Sequence, residues 1–316
     1  MLITNLNQIK RQHGEQLALK MRLEDTVAFD VRKLTRSILM DFKSYYISHP
    51  GAILSTDNYS EDLIGILRHH YRKVASHFSH NIRGEQKAIK YDRATVDKNI
   101  DLRLADYIMT KTRKQSGRIL TTLKERLHSA IKEVTIEGAT QGIQLYPPEI
   151  ADKVTKQLNA EMLDHSFTIG ATETQDIAEQ SKITEAQALS EFGIANSKKY
   201  WDSNLDEKTR SAHIFANGQT VSLDEVFIVG GEELNRPGDE ELGASAWNII
   251  GCRCNCLYLS EEIGKAATIA FENKCNFGLK RFNCLNSARN DIFKVFDRLQ
   301  QGSNKLFKEN LNALSS

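Results

Sequence analysis

Residues 251–259 read Gly-Cys-Arg-Cys-Asn-Cys-Leu-Tyr-Leu, three thiols at alternating positions leading into an apolar run. Alternate side chains of an extended strand share a face. Cys252, Cys254 and Cys256 are therefore expected to point the same way, with His213 free to fold back against them. Thiolate sulfur and imidazole nitrogen are the ligands that zinc takes in a tetrahedron. The usual Cys-x2-Cys spacing is missing, however, and buried cysteine also serves as a small apolar side chain. Spacing alone leaves a metal site, a redox site and a packed strand open. A cysteine beside a histidine is also the minimum for a thiol nucleophile. Asp202, Asp206 and Glu207 precede His213, where one of them can orient the imidazole or pair with Arg210. An aspartate before a charged turn is equally an N-cap arrangement. Cys275 and Cys284 read as core or free thiols.

Four histidines crowd one earlier helix: His69, His70, His77 and His80. No carboxylate completes a His-Glu-x-x-His pattern, and the interleaved Arg68, Arg72 and Lys73 repel a cation. The expectation is a solvated basic helix face. There is no glycine-rich phosphate loop and no Gly-x-Ser-x-Gly nucleophile motif.

Long helices must position the cysteine segment. All four prolines, Pro50, Pro147, Pro148 and Pro237, fall at expected boundaries. Over 15–48, Leu17, Met21, Val27, Val31, Leu34, Ile38, Phe42 and Tyr45 recur mostly at three- and four-residue steps, one helix face. His49-Pro50-Gly51 ends that run. A second helix is expected from Ser60, and a third over about 101–138, with 81–100 as a loop or exposed end. A fourth starts at Pro147-Pro148, since proline suits the first helical turn, and 170–191 is again helical. Residues 194–260 break into short apolar bursts, Asn217-Gly218 and Gly230-Gly231, the pattern of short strands and tight turns. The fold class expected is α+β, predominantly α.

The net charge of +1 hides an asymmetry. Residues 1–156 hold 26 Lys and Arg against 18 Asp and Glu, residues 157–260 hold 7 against 17, and residues 261–316 hold 9 against 6. This suggests a basic helical domain (1–156), an acidic α+β domain (157–260) and a helical tail (261–316), with nucleic acid or an acidic protein surface suiting the first. The odd cysteine count does not resemble a secreted disulfide framework. The first residues lack the apolar core of a signal peptide, and no stretch approaches the ~20 apolar residues of a membrane span. Synthesis in the cytoplasm, with no membrane, is expected.

Several landmarks follow in a fixed order: Ala171-Thr172-Glu173-Thr174, then Trp201-x4-Asp206-x3-Arg210-x2-His213, Asn217-Gly218, Phe227-Ile228-Val229, Pro237-Gly238-Asp239 and Cys252-Arg253-Cys254. Together they resemble the Mu F-like family of phage minor head proteins, also called the phage head morphogenesis domain, over about 165–258. The resemblance implies a non-enzymatic minor head protein of a tailed bacteriophage. Such a protein sits in the virion, in the head interior or at the portal vertex, and acts in head morphogenesis and in DNA packaging or ejection. Its implied partners are the portal protein, capsid or scaffold proteins and packaged double-stranded DNA, held non-specifically. The motif residues carried over are Thr172, Glu173, Thr174, Trp201, Asp206, Arg210, Pro237, Asp239 and Arg253. Structural zinc on His213, Cys252 and Cys254 is the candidate cofactor, with Cys256 outside the motif. The competing expectation is a metal-dependent or cysteine-based enzyme, effector or nuclease-like, using His213 and Cys252/Cys254. The short helical stretch after Leu259 speaks against a fused effector domain.

Overall fold

The computed structural model describes residues 7–79, 92–261, 264–265, 267–269 and 271. His80, Cys275, Cys284 and nearly all of the expected helical tail lie outside the described residues. Four long helices dominate: α1 (Asn7–Ser48), α2 (Ser60–Phe78), α3 (Arg93–Thr140) and α4 (Pro147–Glu191). The α+β, predominantly α class holds.

Local chemistry sets the helix starts. Asp92 caps α3 by accepting from the backbone N–H groups of Ala94 and Thr95. The helix therefore begins about a turn or two before the apolar pattern does, because capping follows the carboxylate and not the hydrophobic stripe. At α4, Pro147 and Pro148 occupy the first turn, and the Tyr146 N–H donates to Glu149 Oε2 at 2.8 Å. The helices expected at 147 and at 170–191 are one unbroken rod, which also runs straight through 156–157.

Gly170 sits inside that rod, where glycine ordinarily weakens a helix by about 1 kcal/mol. A Cβ there would stand 2.7 Å from the backbone oxygen of Glu24 and 3.2 Å from Ala28 Cβ. Its absence lets α1 and α4 lie almost backbone to backbone. One apolar cluster runs from Leu39 and Phe42 on α1 through Leu67 on α2, Leu127 on α3 and Val154 on α4 to Trp201 and Cys254. Met21, expected on the inner face of α1, is 46% exposed, while Lys20 beside it is buried.

The chain after α4 forms two small antiparallel sheets. β1 (Ser197–Asp202) pairs on one side with β2 (Thr220–Ser222) and on the other with β5 (Asn255–Ser260), placing Trp201 opposite Cys256. β3 (Phe227–Val229) and β4 (Glu232–Leu234) form a hairpin closed by Gly230 and Gly231. Both glycines have positive φ, as the tightest hairpin turn demands. Two short helices, α5 (Ser211–Ala216) and α6 (Ala246–Ile249), complete the unit.

Buried ions join this unit to the rods. Lys20 Nζ of α1 donates to Glu179 Oε1 at 2.6 Å, to Gln175 at 2.9 Å and to Asn255 at 2.7 Å. Lys182 lies 2.8 Å from the same Glu179 oxygen, and the Cys256 N–H donates to the other. Arg236, fully buried, meets Asp176 at 3.0 Å and Asp239 at 2.7 Å. Glu240 is gripped by Lys111, Lys114 and Arg118 of α3.

The histidine-rich helix corrects one expectation. His69 and His77 are exposed, but His70 is buried and shares a 2.8 Å hydrogen bond with Thr174 Oγ1. Burial pushes its imidazole down to about 3. Helix periodicity turns His70 inward with Leu63, Leu67 and Val74, and a polar partner waits there on α4.

Candidate metal centre

α5 carries His213 on its inner face, and α6 and the segment 251–254 close over it. Gly251, at φ 64°, lets the chain leave α6 sharply and run into β5. Cys252 and Cys254 lie in that lead-in, ahead of the strand. His213 Nδ1 stands 3.3 Å from Cys254 Sγ and 3.6 Å from Cys252 Sγ. All three residues are buried, and their ligand atoms lie within 4.8 Å of one another, so they form a group that can hold a metal ion. Cys256 does not join it: this thiol sits on β5 beneath Lys182 and Lys199, with its sulfur 4.0 Å from the Leu257 carbonyl. The three thiols are not on one strand face, because only the last of them is on the strand.

The imidazole is oriented by a residue that the sequence reading missed. His213 Nε2 lies 3.3 Å from Asn248 Oδ1. The Asn248 amide nitrogen donates to the Val229 carbonyl at 3.1 Å and to Glu232 at 2.7 Å, which fixes its oxygen toward the histidine. Nε2 must then carry the proton, leaving the Nδ1 lone pair facing both sulfurs, the tautomer that a metal ligand needs. Glu232 is itself held by the backbone N–H and hydroxyl of Ser245. An asparagine in the short helix Ala-Trp-Asn-Ile has no sequence signal for this role.

Aromatic packing holds the imidazole from the other side. Trp201 meets His213 edge-on at 5.6 Å between ring centroids and Phe227 at 5.3 Å. The indole N–H donates to Ser203 Oγ at 3.1 Å, and that hydroxyl donates to the His213 carbonyl. The hydrogen bond from Cys254 holds the Cys252 thiol well below its ordinary range. The same bond raises Cys254. Thiolate is the form that binds metal.

The acids expected to orient His213 act elsewhere. Asp202 bonds His13 Nδ1 at 2.6 Å, tying β1 to α1, and that hydrogen bond raises the His13 imidazole. Asp206 accepts from Thr209, the Lys208 N–H and Asn204, closing its own turn. Arg210 donates to the Ile250 carbonyl at 2.6 Å and lies 5.3 Å from the Trp247 ring. Thr172 accepts from the Gly251 N–H at 3.2 Å. Glu173 and Thr174 face the other way, bonded to Tyr71 and His70 of α2. Pro237 and Asp239 shape the loop around Arg236, where Asp239 accepts from the Asn235 and Glu241 N–H groups at 2.9 Å. Arg253 lines a cavity of about 260 Å³ that opens over His213, Cys252 and Cys254.

No family model and no solved structure matches the chain. An NAD(+)–arginine ADP-ribosyltransferase, EFV, of Enterococcus faecalis (strain ATCC 700802 / V583) is 27% identical over 166 residues. The match takes in 50% of this chain and 32% of that protein, so the chain spans about a third of the relative's length. This finding overturns the expectation of a non-enzymatic structural head component of a phage virion, since the curated relative is an enzyme. The physical reason lies in the motif residues. Glu173, Thr174, Trp201 and Asp239 are buried and pack or bond inside the fold. Such residues report an architecture, and one architecture serves many activities.

Proposed function

We propose that this chain belongs to an enzymatic effector that transfers ADP-ribose from NAD+ to arginine, with residues 157–260 as its metal-clamped, Mu F-like module. The observation that carries the reading is the 166-residue likeness to an NAD(+)–arginine ADP-ribosyltransferase. In that reaction the bond from ribose to the nicotinamide nitrogen breaks and a bond to a guanidinium nitrogen forms, releasing nicotinamide and a proton. The cavity of about 260 Å³ is small beside the roughly 300–1,000 Å³ that encloses a drug-sized ligand. It fits one group of the donor and not a whole dinucleotide.

In the same reading the clamp is zinc, held by His213 Nδ1 and the sulfurs of Cys252 and Cys254. Thiolate and imidazole together suit zinc better than harder cations. Bound there, the ion contributes a cross-link between α5 and the segment entering β5. The Asn248 bond that frees Nδ1 supports this assignment.

The test incubates the full chain with isotope-labelled NAD+ and acceptor protein, and searches arginine residues for ADP-ribose by mass spectrometry. Labelled arginine is the expected result. A folded, zinc-loaded chain that neither consumes NAD+ nor modifies arginine would sink the reading.

A further inference from the structure

We propose that the cavity over His213, Cys252 and Cys254 is a binding site for a small oxyanion, the phosphate or carboxylate group of a ligand. Arg253 and Lys208 hold it at the coordination position that the three protein ligands leave open. This rests on the metal reading above.

Three observations converge. First, a closed structural zinc site has four protein ligands, whereas three leave room for an exogenous one. Among the described residues the group has three, and all three line the cavity. Second, the cavity wall is positively charged and only partly spoken for. Its ionisable residues beyond the ligands are Asp206, Lys208, Arg210 and Arg253. The Asp206 carboxylate is taken up by Thr209, Asn204 and the Lys208 N–H, and Arg210 is pinned on Ile250 and Trp247. Lys208 and Arg253 have no side-chain hydrogen bond or ion pair among the described residues. The Arg253 charge acts at a distance on the carboxylates of Glu24 and Asp206. Two uncommitted cations in a recess concentrate field on an anion. Third, Leu205, whose chain neighbours line the cavity, has φ 56°, the left-handed region a branched side chain avoids. It stands between Asn204 and Asp206, both lining residues, and strain of this kind clusters at ligand clamps.

The test loads the full-length chain with cobalt(II), whose visible bands report coordination, and titrates inorganic phosphate and, separately, acetate. A saturable band shift with either anion is expected. Arg253→Met and Lys208→Met should each raise the apparent Kd about tenfold with cobalt stoichiometry unchanged. A response to phosphate alone makes the ligand group a phosphate, and to acetate alone a carboxylate. No shift with either anion, in a chain holding one cobalt, overturns the proposal and leaves the metal reading intact. Loss of cobalt on Cys275→Ser or Cys284→Ser also overturns it, because a fourth protein thiolate then closes the site. A chain that binds neither cobalt nor zinc removes the metal reading and the proposal together.

Discussion

His213 Nδ1 stands 3.3 Å from Cys254 Sγ across 41 residues of chain, the thiol being carried there on the lead-in to β5, which pairs against β1. The apposition is maintained by Asn248, which holds the imidazole by its far nitrogen. Metal should therefore bind the folded chain and stabilise it, by about 3–4 kcal/mol where free metal stands at several hundred Kd or more. His213→Ala should lose the metal and the response of the unfolding midpoint to chelator. Elemental analysis with thermal unfolding checks both, and a His213→Ala chain still holding one zinc would refute the assignment.

Glu179 is the single carboxylate between two buried ammonium groups, Lys20 and Lys182. Glu179→Gln removes the charge that pairs both cations and leaves one acceptor oxygen for them and the Cys256 N–H. It should cost about 3–5 kcal/mol, the range for breaking a buried pair. Lys20→Met leaves the Lys182–Glu179 pair intact and should cost distinctly less. Urea unfolding of the two variants decides the order; equal losses would mean that Lys182 does not share the charge.

Burial pushes the Glu173 carboxyl up to about 7, with Lys111 and the Tyr71 hydroxyl only partly opposing it. Its folded pKa lies above the unfolded value, so the folded state holds the proton more tightly. The cost is absent at pH 4, grows as pH rises, and is complete above pH 7. Glu173→Gln should remove that slope and gain about 3 kcal/mol at pH 8 relative to pH 4. His70 has the opposite sign. Its pKa is lowered to about 3, so its contribution is intact above pH 6.5 and lost as pH falls toward 3. Unfolding curves across pH 4–8 for the wild type and Glu173→Gln supply the comparison; an unchanged slope in the variant would count against this account.

Two glycines in long helices should respond oppositely to alanine. At Gly170 the new methyl meets the Glu24 carbonyl at 2.7 Å, so α1 and α4 must part, at a cost of about 1–3 kcal/mol. At Gly117 on α3 nothing lies within 4 Å, and alanine should stabilise by about 0.5–1 kcal/mol. Denaturant midpoints of the two variants give the signs directly; stabilisation by Gly170→Ala would mean that the helices are not in close contact there.

Much of the scaffold was legible because its signals are local. Proline at 50 and 147 and the three- and four-residue apolar steps placed the rods. The Gly230-Gly231 pair marked a tight turn among short strands. What local pattern missed was where one rod meets another. Nothing in the one-dimensional pattern separates Lys20, buried on Glu179, from an exposed lysine, because its neutralising partner lies 159 residues away. The continuity of α4 past Gly170 escaped notice for the same reason: the glycine answers to the backbone of α1.

At the metal centre, sequence alone determined the ligand types, since imidazole and thiol side chains carry their chemistry wherever they stand. His213, Cys252 and Cys254 were named on that basis. Only the tertiary structure decided which thiols converge, because convergence depends on the turn at Gly251 and on strand pairing. It put Asn248 behind the imidazole and left Lys208 and Arg253 uncommitted in the cavity wall. Those are relations between segments, and their physical cause is packing, which a residue's own chemistry does not encode.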